Sequence, residues 1–389
     1  MMIKDFVLNL KCLNAILYGC RVKNILGSEV MEFVHFSKPT ISLEEEDFEK
    51  IKDVIRSGWV SIGRYVEELE NEFKKRFKVK HAIACSCCTQ GLIIALKAAG
   101  WRNQRVAVPA FTWPSTVFAI ESNIGNTPVF CDIDPETWLM DLGSLDDELY
   151  DVVLAVDTFG NQADIKTTKP VIYDAAHGFN LKKLGHRGIA EVVSFSFSKV
   201  VSASEGGMIL TNDDEVAKTA YELRRLASRM EEVNAIIALS SLRKYDYYNQ
   251  IKIDIIERYQ KNFDFNFAIQ RVPECTNHSV FSLLLNNSYT RDAISMALKN
   301  NEIEVKTYYE PLVEGLAHTD QIYSRIISLP TYPEIVTKQD MICGLINESV
   351  KGSMELSRGD ALSREDPLPG KRYLVDSGYL IEYLRREQK

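Results

Sequence analysis

The stretch VIYDAAHGFNLKKLGHRGIAEVVSFSFSKVVSASEGGMIL, Val171–Leu210, decides the fold. Two apolar runs in it break off at polar residues. VIY stops at Asp174. VVSFS leads to Lys199, and Glu205-Gly206-Gly207 follows before MILT. Short runs with so few polar residues suit strands covered on both faces. A carboxylate and a lysine, 25 positions apart, therefore stand at the ends of two buried strands.

Outward from this stretch the same pattern repeats. AIAC (82–85), VAV (106–108), VFC (129–131) and VVLAV (152–156) read as further short strands. Between them QGLIIALKAA and STVFAIES read as helices. Strands that alternate with helices predict an α/β domain with a mostly parallel sheet. Before it, Ser42 and Glu45 form an S-x-x-E capping box. Phe48, Ile51, Val54 and Ile55 follow at helical spacing, and Gly58 marks the stop. Val66, Leu69, Phe73 and Phe77 mark a second amphipathic helix.

Residues 212–262 are helical throughout. Beyond them SVFSLLL (279–285) reads as a strand, TRDAISMALKNN as a helix and IEVKTYY (303–309) as a strand, an α+β pattern. The division expected is an N-terminal extension (1–31), a large α/β domain (32–262), a smaller C-terminal α+β domain (263–351) and a tail (352–389). The first 30 residues lack a cleavage site and have a broken apolar run, which argues against a signal peptide or membrane span.

The chain has 389 residues, 46% of them apolar, and a net charge of -8 with no basic tract. Nucleic acid and anionic membranes are poor partners for such a surface. Of eight cysteines only Cys85, Cys87 and Cys88 cluster, without C-x-x-C or His-Cys spacing. No metal site and no disulfide scaffold is expected, and reduced thiols suit a cytoplasmic protein.

In open α/β sheets ligands bind beyond the carboxyl ends of the strands, so the polar residues there are the candidates. A lysine such as Lys199, placed at a strand end, can lose its proton and attack a carbonyl; the plainer reading is a solvated charge. Asp174 is either a helix cap or a buried carboxylate facing a cation. Pyridoxal phosphate needs both groups: a lysine amine to hold it, and a carboxylate that keeps its ring nitrogen protonated as an electron sink. SCCTQG lies between a strand and a helix, where free amides of Cys87 and Cys88, with Ser86 and Thr89, can cradle a phosphate or merely cap the helix. Ser194 is a second phosphate ligand or a strand serine. Trp113 can stack on a flat heterocycle or pack in the core. His177, one helical turn after Asp174, either reaches the same ring or is a satisfied helix histidine.

Taken in order, these residues resemble the DegT-type sugar aminotransferases, pyridoxal-phosphate enzymes of fold type I that act on nucleotide-linked keto-sugars. The resemblance runs from about Lys38 to Val350. It is carried by SGWVSIGRYVEELENEF, KHAIACSCCTQGLIIAL, VAVPAFTWPSTVFAI, PVFCDIDPETWLMD, VDTFGNQADI, VIYDAAHGF, SFSFSKVVSASEGGMILTND, RMEEVNAIIAL, YYEPL and ISLPTYP. The resemblance implies that Lys199 bonds to the cofactor and shuttles the proton, and that Asp174 pairs with the ring nitrogen. It implies that Trp113 stacks on the ring and His177 lies beside it. Ser194, Thr89 and the amides of Cys87 and Cys88 would hold the phosphate. It also implies an amino-acid donor, glutamate, and a homodimer with sites at the interface.

The chain departs from the family pattern in three places. Cys88 stands where the family has glycine in the phosphate turn, and Ser204 stands where it has glycine before E-G-G. The loop before R-M-x-E, which reaches the partner's site, is reduced to Leu226-Ala227-Ser228. The tail, with Lys371, Arg372 and Tyr373, either covers a nucleotide diphosphate in the loop's stead or lies on the surface. Other functions compatible with the pattern are a sugar dehydratase, against which Lys199 argues, a cyclitol aminotransferase, and a cofactor-binding paralogue without turnover.

Overall fold

A computed structural model describes residues 33–39 and 41–359, with side chains to residue 354. The N-terminal extension up to residue 32, and Lys371, Arg372 and Tyr373 of the tail, lie outside the described residues. In chain order the elements are α1 (Glu45–Ser57), α2 (Arg64–Phe77), β1 (His81–Cys85), α3 (Cys88–Ala98), β2 (Arg105–Pro109), α4 (Pro114–Glu121), β3 (Thr127–Cys131), β4 (Val152–Val156), β5 (Val171–Ala175), β6 (Ala190–Ser194) and β7 (Gly207–Thr211). Then come α5 (Asp214–Ala227), α6 (Glu232–Arg243), α7 (Tyr245–Asn262), β8 (Ala268–Ile269), β9 (Phe281–Leu284), α8 (Ser288–Asn300), α9 (Ala317–Arg325), β10 (Ile326–Leu329) and α10 (Gln339–Gly359).

The large sheet runs β1-β7-β6-β5-β4-β2-β3. From β6 to β3 every neighbouring pair is parallel, and β7 is antiparallel to both β6 and β1. The reason lies in the connections. Parallel neighbours need a long crossover, and only residues 195–206 separate β6 from β7. That segment turns back over the carboxyl edge and carries Lys199. Because β5 and β6 are adjacent and in register, Asp174 opposite Val192, the two residues 25 positions apart lie on one edge. Strands β4 to β7 are buried along their whole length, the polar Asp174 of β5 and Glu191 and Ser194 of β6 included.

One apolar layer on the sheet joins Leu69 and Phe73 of α2 to Phe179, Phe195 and Leu239. The other joins Leu92, Ile94 and Leu96 of α3 to Ile120, Val192 and Ile209. A third core belongs to the small sheet β10-β9-β8 and includes Val34 together with Ile255, Ile256 and Tyr259 of α7. Helix α7 thus spans two cores, since Tyr245 at its start packs in the first. Asp132 ties the C-terminal part to the large sheet: its carboxylate accepts from the amides of His318 and Thr319 and from the Thr319 hydroxyl, at 2.8–2.9 Å.

Several local expectations change. The capping pair of α1 is Glu44 with Asp47, not Ser42 with Glu45. The Glu44 amide donates to Asp47 Oδ2 (3.1 Å), while Ser42 is drawn to the end of α6: its carbonyl and hydroxyl accept from Lys244, just past the helix, and its carbonyl also accepts from the Ser240 hydroxyl. Gly58 does end the helix, at φ 72°. Residues 303–309 form no ladder strand: Ile303 bridges Val34 and Lys306 bridges Ser328, so the segment changes partner midway. Helix α10 runs through the expected tail boundary at 351/352.

Charged residues buried beneath the edge hold it in place. Arg187 pairs with Asp157 through Nη1–Oδ1 and Nη2–Oδ2, each 2.7 Å, and with Glu191 at 2.5–3.0 Å. The Asp157 amide in turn donates to the Asp174 carbonyl (3.1 Å). Arg187→Met strands two buried carboxylates, an expected cost of about 3–5 kcal/mol, read as a lower urea midpoint. An unchanged midpoint would remove this network from the account.

Candidate active site

The ends of β1, β2, β4, β5 and β6 open into one cavity of about 590 Å³. Eight of the nine residues singled out from the sequence line it: Cys87, Cys88, Thr89, Trp113, Asp174, His177, Ser194 and Lys199. Ser86 does not. Its amide and hydroxyl instead meet the Ser228 hydroxyl, at 3.0 and 2.9 Å. The shortened connection after α5 is therefore fastened to the back of the turn before α3.

Asp174 is 4% exposed and lies within β5. No helix begins at that point, so it is not a helix cap, and His177 follows in a turn rather than one helical turn on. Thr116 Oγ1 donates to Asp174 Oδ2 (2.7 Å) and the Ala176 amide to Oδ1 (3.0 Å). Burial raises its pKa, and the two hydrogen bonds and nearby Lys199 oppose the rise. A cation brought against Asp174 would favour the charged form further.

Lys199 Nζ lies 2.8 Å from His177 Nε2. Burial, with Lys199 and Lys252 nearby, pushes His177 well below its ordinary pKa, so the ring is neutral. Its Nδ1 then donates to Ser279 Oγ (2.7 Å), leaving Nε2 to accept from Lys199. The Tyr309 hydroxyl reaches the same Nε2 at 3.2 Å. Burial lowers the pKa of Lys199 as well, which raises its share of free amine near neutrality.

The turn before α3 has free donors. The first amides of α3 have no acceptor within the helix. Cys88 is the first helical residue and is not in the left-handed region, so a cysteine is accommodated there. Its buried thiol, pushed well up in pKa, stays protonated and donates to the Val192 carbonyl (Sγ–O 3.7 Å). The close approach falls on Gly207 instead: a Cβ there would lie 2.8 Å from the Cys88 nitrogen. Ser204, the other departure, does hold positive φ (68°), a conformation that suits glycine better.

Trp113 precedes α4, is 46% exposed, and meets the rings of Tyr308 and Tyr309 edge-on at 5.9 and 6.5 Å. Reasoning from sequence missed Thr116, Ser279, Tyr309 and Lys252. Of these only Lys252 had a signal. It stands three and four residues before Ile255 and Ile256 and seven before Tyr259, a lysine on the buried stripe of α7.

Residues 41–347 match the DegT/DnrJ/EryC1/StrS aminotransferase family. The chain belongs to that family. It is 28% identical over 329 residues to the GDP-perosamine synthase of Vibrio cholerae, covering 75% of this chain and 88% of the relative. It is 26% identical over 371 residues to the GDP-perosamine synthase of Escherichia coli O157:H7, covering 82% and 99%. The crystal structure of DesI, determined in the presence of its TDP-sugar product, shares the fold: TM-score 0.75, 23% identity, 84% of this chain and 95% of that one.

As a member of the DegT/DnrJ/EryC1/StrS aminotransferases the chain is a pyridoxal-phosphate enzyme. The cavity fits that cofactor. It offers a buried carboxylate whose pKa burial raises, a lysine whose pKa burial lowers, and free amides at the start of α3. Among the described residues no helix is long and apolar enough to cross a membrane.

Proposed function

We propose that the chain moves an amino group from an amino acid, glutamate, to a keto carbon of a nucleotide-linked sugar, as a homodimer in the cytoplasm. Pyridoxal phosphate supplies the electron sink when bound. Asp174 would face its ring nitrogen, Trp113 its ring, and the amides of Cys87 and Cys88, with Thr89 and Ser194, its phosphate. Lys199 would hold the cofactor and then act as the proton carrier, taking a proton from the reacting carbon of the donor in one half-reaction and delivering one to the reacting carbon of the acceptor in the other. His177, neutral and bonded to Ser279, keeps the lysine amine aimed into the cavity.

The observation that carries this reading is the contact of Lys199 with His177 in the cavity that Asp174 also lines. The substrate class is supported by the synthases named for GDP-perosamine among the relatives.

Adding glutamate to the purified holoenzyme should change its visible spectrum and release one 2-oxoglutarate per site. A bound cofactor whose spectrum no amino acid alters would contradict the proposal. Trp113→Ala should weaken cofactor retention roughly 2–12-fold, the worth of one aromatic stack. Equilibrium dialysis of the cofactor measures it, and unchanged retention would mean that Trp113 does not stack.

A further inference from the structure

Lys252 takes no part in the steps above, yet it lines the cavity. Among the described residues its only hydrogen bond is to the Ser279 carbonyl, at a long 3.4 Å. Among the described residues no carboxylate lies within ion-pair distance of it. Burial, with Lys199 nearby, pushes its pKa down to about 8. One turn earlier on α7, Asn249 also lines the cavity, and its buried Oδ1 has no hydrogen-bond partner. Amide oxygen and nitrogen are interchangeable in such an assignment, so Asn249 can turn an N–H donor to the same point. A cation without a counter-ion and an amide without a partner, side by side in one cavity, are complementary to an anion.

Its position decides which anion. A short chain of contacts joins Lys252 to the reactive amine: Lys252 to the Ser279 carbonyl, Ser279 Oγ to His177, and His177 to Lys199. The first amides of α3, which suit a phosphate, are not part of that chain. An amino acid that presents its amine at Lys199 carries its α-carboxylate two bonds away from that amine. In a nucleotide-linked sugar the diphosphate lies farther from the reacting carbon.

We propose that Lys252, with the Asn249 amide, receives a carboxylate of the amino-acid donor. The proposal rests on the aminotransferase reading of the cavity, and its test does not require turnover. Glutarate, a dicarboxylate without an amine, is titrated calorimetrically into the wild-type holoenzyme, Lys252→Met, Lys252→Arg and Asn249→Ala. Lys252→Met should weaken binding roughly 10–100-fold, the worth of a hydrogen bond to a charged group. Lys252→Arg should lose less than Lys252→Met, and Asn249→Ala should show a smaller loss. A nucleoside diphosphate titrated into the same variants should bind unchanged.

Single-turnover reactions with glutamate and glutamine then tell which carboxylate is held. If both donors weaken in Lys252→Met it is the α-carboxylate, and if only glutamate weakens it is the side-chain one. Glutarate that binds wild type and Lys252→Met equally, or fails to bind wild type, overturns the proposal. So does a loss confined to the nucleoside diphosphate. A failure of amino transfer itself would be read separately, as a wild-type visible spectrum that glutamate leaves unchanged.

Discussion

Lys199→Ala should lose amino transfer by on the order of 10³–10⁴-fold, the upper range for removal of a positioned proton carrier. The cavity holds three other groups that could move a proton near the same point, and none replaces the lysine. His177 is held neutral by burial and is fixed through Ser279. Tyr309 is buried, its pKa raised, so it does not ionise near neutrality. Lys252 is a second amine, tethered on α7 rather than on the 195–206 segment. Borohydride treatment of the wild type should fix the cofactor to Lys199 and to no other peptide. A label on Lys252 would exchange the roles of the two lysines. A small primary amine added to Lys199→Ala should restore part of the rate, because the site would keep its shape and lack only the base.

Asp174→Asn should slow the donor half-reaction on the order of 10²–10³-fold, the scale of losing one preorganised electrostatic partner in a site closed to water. The substitution keeps the shape of the group. Asn can still accept from the Ala176 amide through Oδ1 and turn Nδ2 to donate to the Thr116 hydroxyl, whose own proton can go to Thr112, so β5 and the buried Arg187 network should survive. What goes is the charge opposite the ring nitrogen. The loss should therefore appear in the rate of proton removal, followed by stopped-flow absorbance, with a smaller change in cofactor retention. Activity within a few-fold of wild type would mean that another residue faces the ring.

Much of this site was legible in the sequence because parallel strands present their ends on one edge. Once VIY (171–173) and VVSFS (192–196) read as buried strands of one sheet, Asp174 and the segment carrying Lys199 fall at strand ends, and the parallel pairing of the two strands in the structure puts them on one edge. The turn at the junction of β1 with α3 was legible for the same reason. What escaped comes from elements far along the chain. Ser279 and Tyr309 reach His177 from 102 and 132 positions away, a pairing set by how the small sheet docks. The antiparallel β7 was not foreseen, because an apolar run gives no direction and only the short connection from β6 does. Ser42 misled because its side chain had a better partner in Lys244, between α6 and α7 and 202 residues on. Cys88 illustrates the converse. The family pattern suggested a demand for glycine there, and the fold puts the steric demand on Gly207 across the strand pair.

The central claim is that this cavity passes an amino group from an amino acid to a nucleotide-linked sugar. It is tested most directly by following the nitrogen atom. The purified holoenzyme is incubated with ¹⁵N-glutamate and a panel of nucleotide-linked keto-sugars, and the products are analysed by mass spectrometry. The account predicts that one keto-sugar gains a ¹⁵N amino group, with an equal amount of 2-oxoglutarate formed, and that Lys199→Ala yields neither. If 2-oxoglutarate appears while no keto-sugar gains the label, the acceptor is not a nucleotide-linked sugar. If the holoenzyme releases no 2-oxoglutarate and labels no sugar, it binds its cofactor without turnover and the account is wrong.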